Sequence, residues 1–226
     1  MHVWGVKWRK NMKKGKCDFR LVWEVFFVFF ITASMWGAGE STLSVFRGDS
    51  VMDMQSEFIL IDDFSKSGGL SSFGTEWRMF TDRVMGGRST ADWRFETINE
   101  RRCVHLWGDV SLANNGGFIQ VALPLTRNGK AFNAGSYSGV RLWVRGNGEK
   151  YHVHLRSRRT RFPWQYYGAG FVAGDSWSMI ELPFSDFNAE RLKARLNSDK
   201  LTRIAVVAIG EEVKADVAVA RIEFYR

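Results

Sequence analysis

Short segments in which apolar and polar side chains alternate recur along much of this chain. In GVRLWVRG, residues 139–146, Val140, Leu142 and Val144 share one face, and the residues between them share the other. YHVHLRS, residues 151–157, repeats the pattern, and the intervening GNGE is typical of a tight hairpin turn. Because side chains of a β-strand point alternately to its two faces, this period favours strands over helices. We therefore expect an all-β fold.

Further strands are predicted where apolar segments lie between turn signals. They are EFILIDDF (57–64), CVHLWGDV (103–110), GFIQVALPL (117–125), YYGAGFV (166–172), WSMIELPF (177–184), LTRIAVVAIG (201–210) and AVARIEFYR (218–226). The segment RIAVVAIG is apolar enough to be buried on both faces. One short helix is predicted, over residues 189–196. About nine or ten short strands at this spacing indicate a β-sandwich or barrel.

The positive charge of the chain is concentrated at its beginning. The formal net charge is +8, but residues 1–20 hold seven Lys or Arg and one acidic residue, Asp18. The rest of the chain is therefore nearly neutral. Nonspecific binding to phosphates depends on a basic surface, so we predict no nucleic-acid partner.

An apolar run, residues 21–39, follows the basic leader and ends in small residues. That order is typical of a secretory signal peptide, and the uninterrupted apolar part is shorter than the roughly 20 residues that span a bilayer. Residues 1–39 are thus predicted to be a signal peptide or signal anchor, residues 40–56 a linker, and residues 57–226 the folded domain. We expect the chain to be exported, to the periplasm or the extracellular space, or to be membrane-anchored through this segment alone. A mitochondrial location is the less favoured alternative.

Three motifs stand in series along the predicted domain. They are EWRMFTDRVMGGRS (76–89), LWGDVSLANNGGF (106–118) and YSGVRLWVRGNGEKY (137–151), followed by Trp177 and the LPF of residues 182–184. The series resembles the complex I intermediate-associated protein family, with its thirty-kilodalton assembly-factor domain. The resemblance implies a jelly-roll β-sandwich similar to galactose-binding domains. It also implies a role in assembling respiratory complex I (NADH:ubiquinone oxidoreductase) in mitochondria.

A basic and aromatic segment, residues 155–170, is the most distinctive predicted surface. Arginine and aromatic side chains anchor interfaces, so this segment and the VMGG turn are expected to form the contact region. The candidate binding residues are Asp82, Arg83, Met85, Gly86, Gly87, Arg88, Asn114, Asn115, Arg158, Arg159, Arg161 and Trp164. An alternative remains open, in which the glycines and asparagines serve only turn geometry and the aromatics pack into the core.

Catalytic chemistry has little support in the sequence. His152 and His154 could share a metal with His105, but no Cys pair or acidic cluster completes a tetrahedral set, so no metal or cofactor is predicted. A glycoside hydrolase would need two facing carboxylates. The candidates for such a pair are Asp62, Asp63, Asp82 and Asp109. Sequence alone does not place any two of them opposite each other.

These observations favour a non-catalytic, chaperone-like assembly factor that acts through protein–protein contacts. Its partners would be proteins, and the family resemblance points to respiratory-complex subunits. The alternative is an exported carbohydrate-binding module with a glycan as ligand, for which the ten tryptophans offer stacking surfaces. An envelope glycan hydrolase is the third possibility.

Overall fold

The computed structural model describes residues 57–66 and 68–226. The predicted signal segment, residues 1–39, and the linker, residues 40–56, lie outside the described residues, and those two assignments stay predictions. Among the described residues, no helix is both long enough and apolar enough to cross a bilayer.

Twelve β-strands make up most of the described chain. They are β1 (Phe58–Asp62), β2 (Arg78–Thr81), β3 (Thr90–Ile98), β4 (Arg101–Val110), β5 (Phe118–Pro124), β6 (Gly139–Gly146), β7 (Lys150–Ser157), β8 (Tyr166–Val172), β9 (Ser178–Pro183), β10 (Asn188–Glu190), β11 (Leu201–Ile209) and β12 (Val213–Tyr225). Single turns of 3-10 helix occupy Asp82–Met85, Ala113–Asn115, Phe184–Asp186 and Ser198–Lys200.

The strands form two antiparallel sheets of six strands each. The first sheet has the order β3-β4-β12-β6-β9, and β1 pairs with the end of β12. The second sheet has the order β10-β8-β7-β11-β5-β2. Buried side chains from both sheets form one continuous cluster between them. The architecture is therefore the all-β sandwich that the alternating pattern predicts.

The alternation in β6 is confirmed by its burial. Val140, Leu142 and Val144 are completely buried in the core, whereas Arg141 and Trp143 on the other face are partly exposed. Burying such an aliphatic side chain stabilises the fold by roughly 1.5–3 kcal/mol. The same alternation in β7 turns its apolar residues to the core and its histidines and arginine to the outer face.

Strand β11 lies between β7 and β5 and is buried on both faces over residues 204–208, as predicted. On the outer face of the second sheet, Ala205 and Val207 of β11 form a small buried cluster with Ala122 of β5. These side chains are short, so the middle of that face is recessed. This recess is where the candidate site lies.

The helix predicted over residues 189–196 is wrong. Asn188–Glu190 form β10, which pairs with β8 so that Ala189 lies opposite Tyr167. Arg191 then adopts a φ of 52°, which does not continue a right-handed helix. Pairing of the backbone with a neighbouring strand has therefore overridden the local preference of this segment.

Candidate functional site

A groove of about 520 Å³ crosses the outer face of the second sheet. Its floor includes His154 and Arg156 from β7, and Ala205 and Val207 from β11. The VMGG turn follows β2 at one edge of the sheet, and Trp164 lies two residues before the start of β8 near the other edge. Two segments that are far apart in sequence therefore flank one groove.

Asp82 holds the turn that borders the groove. Its side chain is fully buried, and its carboxylate accepts hydrogen bonds from the Ser89 N–H at 3.0 Å and the Ser89 hydroxyl at 2.5 Å. The Gly117 N–H also donates to this carboxylate, at 2.6 Å. Because Gly117 belongs to the ANNGGF segment, one carboxylate joins two of the sequence motifs.

The glycines of both motifs make room for this carboxylate. A Cβ atom on Gly87 would lie 2.3 Å from Cγ of Asp82, and one on Gly116 would lie 2.4 Å from its Oδ2. Asn114 adds a further link, since its Nδ2 donates to the Gly86 carbonyl at 3.3 Å. Residues 82–89 and 113–118 therefore form one unit, which we call the motif junction.

The hydrogen bonds fix the protonation state of Asp82. Burial by itself raises its pKa, but the hydrogen bonds from the Ser89 hydroxyl and from the N–H groups of Gly117, Ser89 and Phe118 outweigh that effect and lower the pKa. Asp82 is therefore ionised at neutral pH, and its oxygens are occupied by internal donors. We assign it a structural role within the motif junction.

The motif junction presents apolar side chains to the groove. Val84 and Met85 line it and are 69% and 48% exposed. On the other side, Trp164 is 48% exposed and stacks on Phe162 with ring centroids 5.1 Å apart.

The predicted binding residues thus divide into three sets. Met85 and Trp164 line the groove. The second set forms the motif junction that supports one border of the groove: Asp82, Gly86, Gly87, Asn114 and the backbone of Asn115. The third set is exposed but does not line the groove: Arg83, Arg88, Arg158, Arg159 and Arg161.

Most of the groove floor was missed by sequence reasoning. His154 is only 7% exposed and stacks on Tyr166 at a centroid distance of 3.7 Å. Burial, together with the nearby His152, lowers the pKa of His154 to about 3, so its imidazole is neutral. Its Nε2 is buried and has no hydrogen-bond partner among the described residues. The alternation in YHVHLRS was the one signal that could have placed His154 here.

The three histidines considered for a metal do not converge. His152 and His154 are neighbours with ring centroids 6.1 Å apart, but His105 lies on β4 in the other sheet. There its ring nitrogens bond Glu96 and Asp216. In the part of the chain that the structure describes, no three His, Cys, Asp or Glu side chains are arranged so that they could hold a metal ion.

The candidate carboxylates are also separate. Asp62 accepts from the Trp77 indole at 2.8 Å, Asp63 from the Ser65 hydroxyl at 2.6 Å, and Asp109 is exposed on β4. Within the described residues, the groove is lined by one carboxylate, that of Glu190. A facing pair of acids, which glycoside hydrolysis requires, is therefore not formed by these groups.

One known protein family matches the part of the chain that contains the motif junction. The model of the Complex I intermediate-associated protein 30 (CIA30) family matches residues 63–215, a span that contains both parts of the junction. The chain belongs to the CIA30 family. The family suggested by the sequence motifs is thereby confirmed. A comparison of the CIA30 chain with curated proteins gives no match.

Solved structures resemble this CIA30 domain in fold. The Family 11 carbohydrate-binding module of the cellulosomal cellulase Lic26A-Cel5E of Clostridium thermocellum superposes with a TM-score of 0.56 at 12% identity, over 75% of this chain and 95% of the module. The Clostridium thermocellum module in complex with a beta-1,3-1,4-mixed-linked tetrasaccharide gives a TM-score of 0.55 at 13% identity, over 74% and 94%. The CIA30 domain is thus a jelly-roll sandwich of the galactose-binding-like type, as predicted. At these identities the likeness is one of fold alone.

Proposed function

We propose that this chain is a non-catalytic binding protein that assists assembly of a protein complex by holding a partner polypeptide in the groove. The observation that carries the proposal is the set of exposed apolar side chains around the groove: Val84, Met85 and Trp164. Apolar side chains clustered at the surface are typical of protein interaction sites. The description of the family favours subunits of respiratory complex I as partners.

A pull-down with matched methionine variants tests the proposal. The full-length chain with a C-terminal tag is recovered from membrane and soluble fractions of its host, because we also propose that residues 1–39 act as an export signal or anchor. We expect respiratory-complex subunits above background. We expect Met85→Ala combined with Trp164→Ala to reduce their recovery about tenfold, since central apolar anchors carry most of an interface's binding energy.

The control for this experiment is Met179→Ala. Met179 is 52% exposed, as much as Met85, but it lies on β9 of the first sheet. Its substitution should leave recovery unchanged. Equal recovery with the double variant and the wild type would refute the groove as the contact surface, and recovery of no respiratory subunit would refute the proposed partner class.

Binding of a glycan is the second candidate function. The rings of Phe162 and Trp164 are parallel to within 1°, each is about half exposed, and Trp164 lines a groove that also contains Gln120 and Glu190. Flat aromatic faces beside hydrogen-bonding groups can stack on sugar rings.

Tryptophan fluorescence distinguishes this candidate from polypeptide binding. The full-length chain is titrated with a panel of oligosaccharides that includes a beta-1,3-1,4-mixed-linked tetrasaccharide. Our proposal predicts no saturable change across the panel. A saturable change that Trp164→Ala removes, and that Trp143→Ala on the first sheet leaves intact, would support the glycan candidate instead.

A further inference from the structure

Two arginines lie side by side on the groove floor. Arg156 of β7 is directly opposite Arg203 of β11 in the register of the two strands. Arg156 is fixed by its own loop, because its Nη2 donates to the Phe162 carbonyl at 2.9 Å and its Nε donates to the Thr160 hydroxyl at 3.3 Å. Arg203 instead lies over the Phe80 ring, with its guanidinium carbon 5.6 Å from the ring centroid.

Neither guanidinium has an acidic partner. Within residues 57–66 and 68–226, no carboxylate lies within ion-pair distance of Arg156 or Arg203, and the Arg203 side chain forms no hydrogen bond. Glu190 also lines the groove, but its carboxylate pairs with Arg191 at 3.5 Å. The two arginines are therefore partly buried positive charges without a counter-ion in the described structure.

The surroundings of these arginines add to the unfavourable charge. Burial lowers the pKa of Arg156, and the adjacent Arg203 lowers it further. Burial likewise lowers the pKa of Arg203, with an additional contribution from Arg78 of β2. Like charges held together in a partly desolvated site repel one another, and an anion bound between them would relieve that repulsion.

His154 adds a polar side chain to the groove floor beside the arginines. It precedes Arg156 by two residues on β7, so the two side chains emerge on the same face of the strand. His154 lines the groove, and its Nε2 is buried without a hydrogen-bond partner in the described chain. Buried polar atoms are nearly always hydrogen-bonded, so this unpaired nitrogen leaves the floor beside Arg156 polar and incompletely satisfied.

We propose that the groove binds a polypeptide segment that is both acidic and apolar. The carboxylate of an Asp or Glu side chain binds between Arg156 and Arg203, beside His154 on the groove floor. Apolar residues beside that acid pack on Phe118 and Ile209, which also line the groove. This inference rests on the proposed function, and it adds the chemistry of the segment that is recognised.

Selection from random peptides tests the inference without knowledge of the partner. The full-length chain is immobilised by a C-terminal tag, and a phage library of random dodecapeptides is selected on it. We expect the bound peptides to be enriched in Asp or Glu next to aromatic or aliphatic residues. The affinity of a selected peptide should fall with rising salt concentration, because charged contacts are screened.

Charge variants then locate the acidic residue. Arg203→Gln should weaken a selected peptide about tenfold and flatten its salt dependence, since loss of one charged partner at a desolvated site costs at least that much affinity. The matched control is Arg102→Gln, because Arg102 is exposed on β4 of the first sheet. That control should bind as the wild type does.

The outcomes separate this inference from the proposed function. The bound segment is not acidic if the enriched peptides lack acidic residues, or if the Arg203→Gln variant binds a selected peptide as tightly as the wild type does. Either result would leave polypeptide binding in place. Enrichment of no peptide would overturn both.

Arg203→Gln should also melt at or above the temperature of the wild type, because it removes an uncompensated charge. A markedly lower melting temperature would show that Arg203 stabilises the fold and would overturn the inference.

Discussion

Replacement of Asp82 by Asn is expected to destabilise the domain by about 3 kcal/mol, because breaking a buried, charged hydrogen-bond network leaves several donors unpaired. An amide has one acceptor oxygen where the carboxylate has two. In the variant, an amide oxygen that still accepts from the Ser89 hydroxyl and the Gly117 N–H turns the amide NH2 toward the Ser89 N–H, so that two donors face each other. Urea unfolding of the full-length chain measures the change.

The matched control for this substitution is Asp109→Asn. Asp109 is exposed on β4, and its side chain has no hydrogen bond or ion pair within the described chain. Its replacement should change the free energy of unfolding by less than about 0.5 kcal/mol. If Asp82→Asn lowers the free energy of unfolding by no more than Asp109→Asn does, the motif junction does not depend on the Asp82 carboxylate.

The pH dependence of stability gives the Asp82 substitution a second readout. Since the folded state lowers the pKa of Asp82, its contribution to stability is present at pH values above the unfolded pKa near 3.8. This contribution is lost as the pH falls through the lower folded pKa. The wild-type advantage over Asp82→Asn should therefore shrink below about pH 4. An advantage that stays constant down to pH 2 would contradict the assignment.

The second large effect is expected for Gly108→Ala in β4. Gly108 has a φ of 153°, and a Cβ there would lie 2.1 Å from the Thr90 carbonyl oxygen and 2.7 Å from the Ala91 Cα. These atoms belong to the backbone of β3, so they cannot move without breaking the β3–β4 pairing. We expect a loss of about 3 kcal/mol, in the range of strained or overpacked sites.

Gly174→Ala is the control for Gly108→Ala. A Cβ at Gly174 would have no heavy atom within 4 Å outside its chain neighbours. Its substitution should be close to neutral in thermal unfolding, or slightly stabilising through a less flexible unfolded chain. Similar melting temperatures for the two alanine variants would contradict the steric argument at Gly108.

The strands were predictable because their signal is local. The bounds of GVRLWVRG and YYGAGFV agree with β6 and β8, where glycines punctuate a period-two pattern. The short edge strand β2 and the strand β3 were not predicted. Arg78–Thr81 were assigned to a sequence motif, and Thr90–Ile98 were not assigned to a strand although Ala91, Trp93 and Phe95 alternate with polar residues.

The site was less predictable because it depends on contacts between distant segments. Gly87 and Gly116 were expected to serve turns, and their spacing gave no sign that they pack on opposite sides of one carboxylate. The pairing of Arg156 with Arg203 depends on a register with an irregularity between Leu201 and Arg203. The alternating pattern predicts the face of the strand on which each arginine lies. It does not predict that the two strands are neighbours or in which register they pair.

The order of strands along the chain also has a consequence for biosynthesis. Strand β12 is the hub of the first sheet, pairing with β1, β4 and β6, and β11 occupies the middle of the second sheet. A ribosome therefore produces every neighbour before either hub. Before β12 is made, the first sheet consists only of the separate pairs β3–β4 and β6–β9, with β1 unpaired in that sheet. We therefore expect the first sheet to be completed only after β12 has been synthesised.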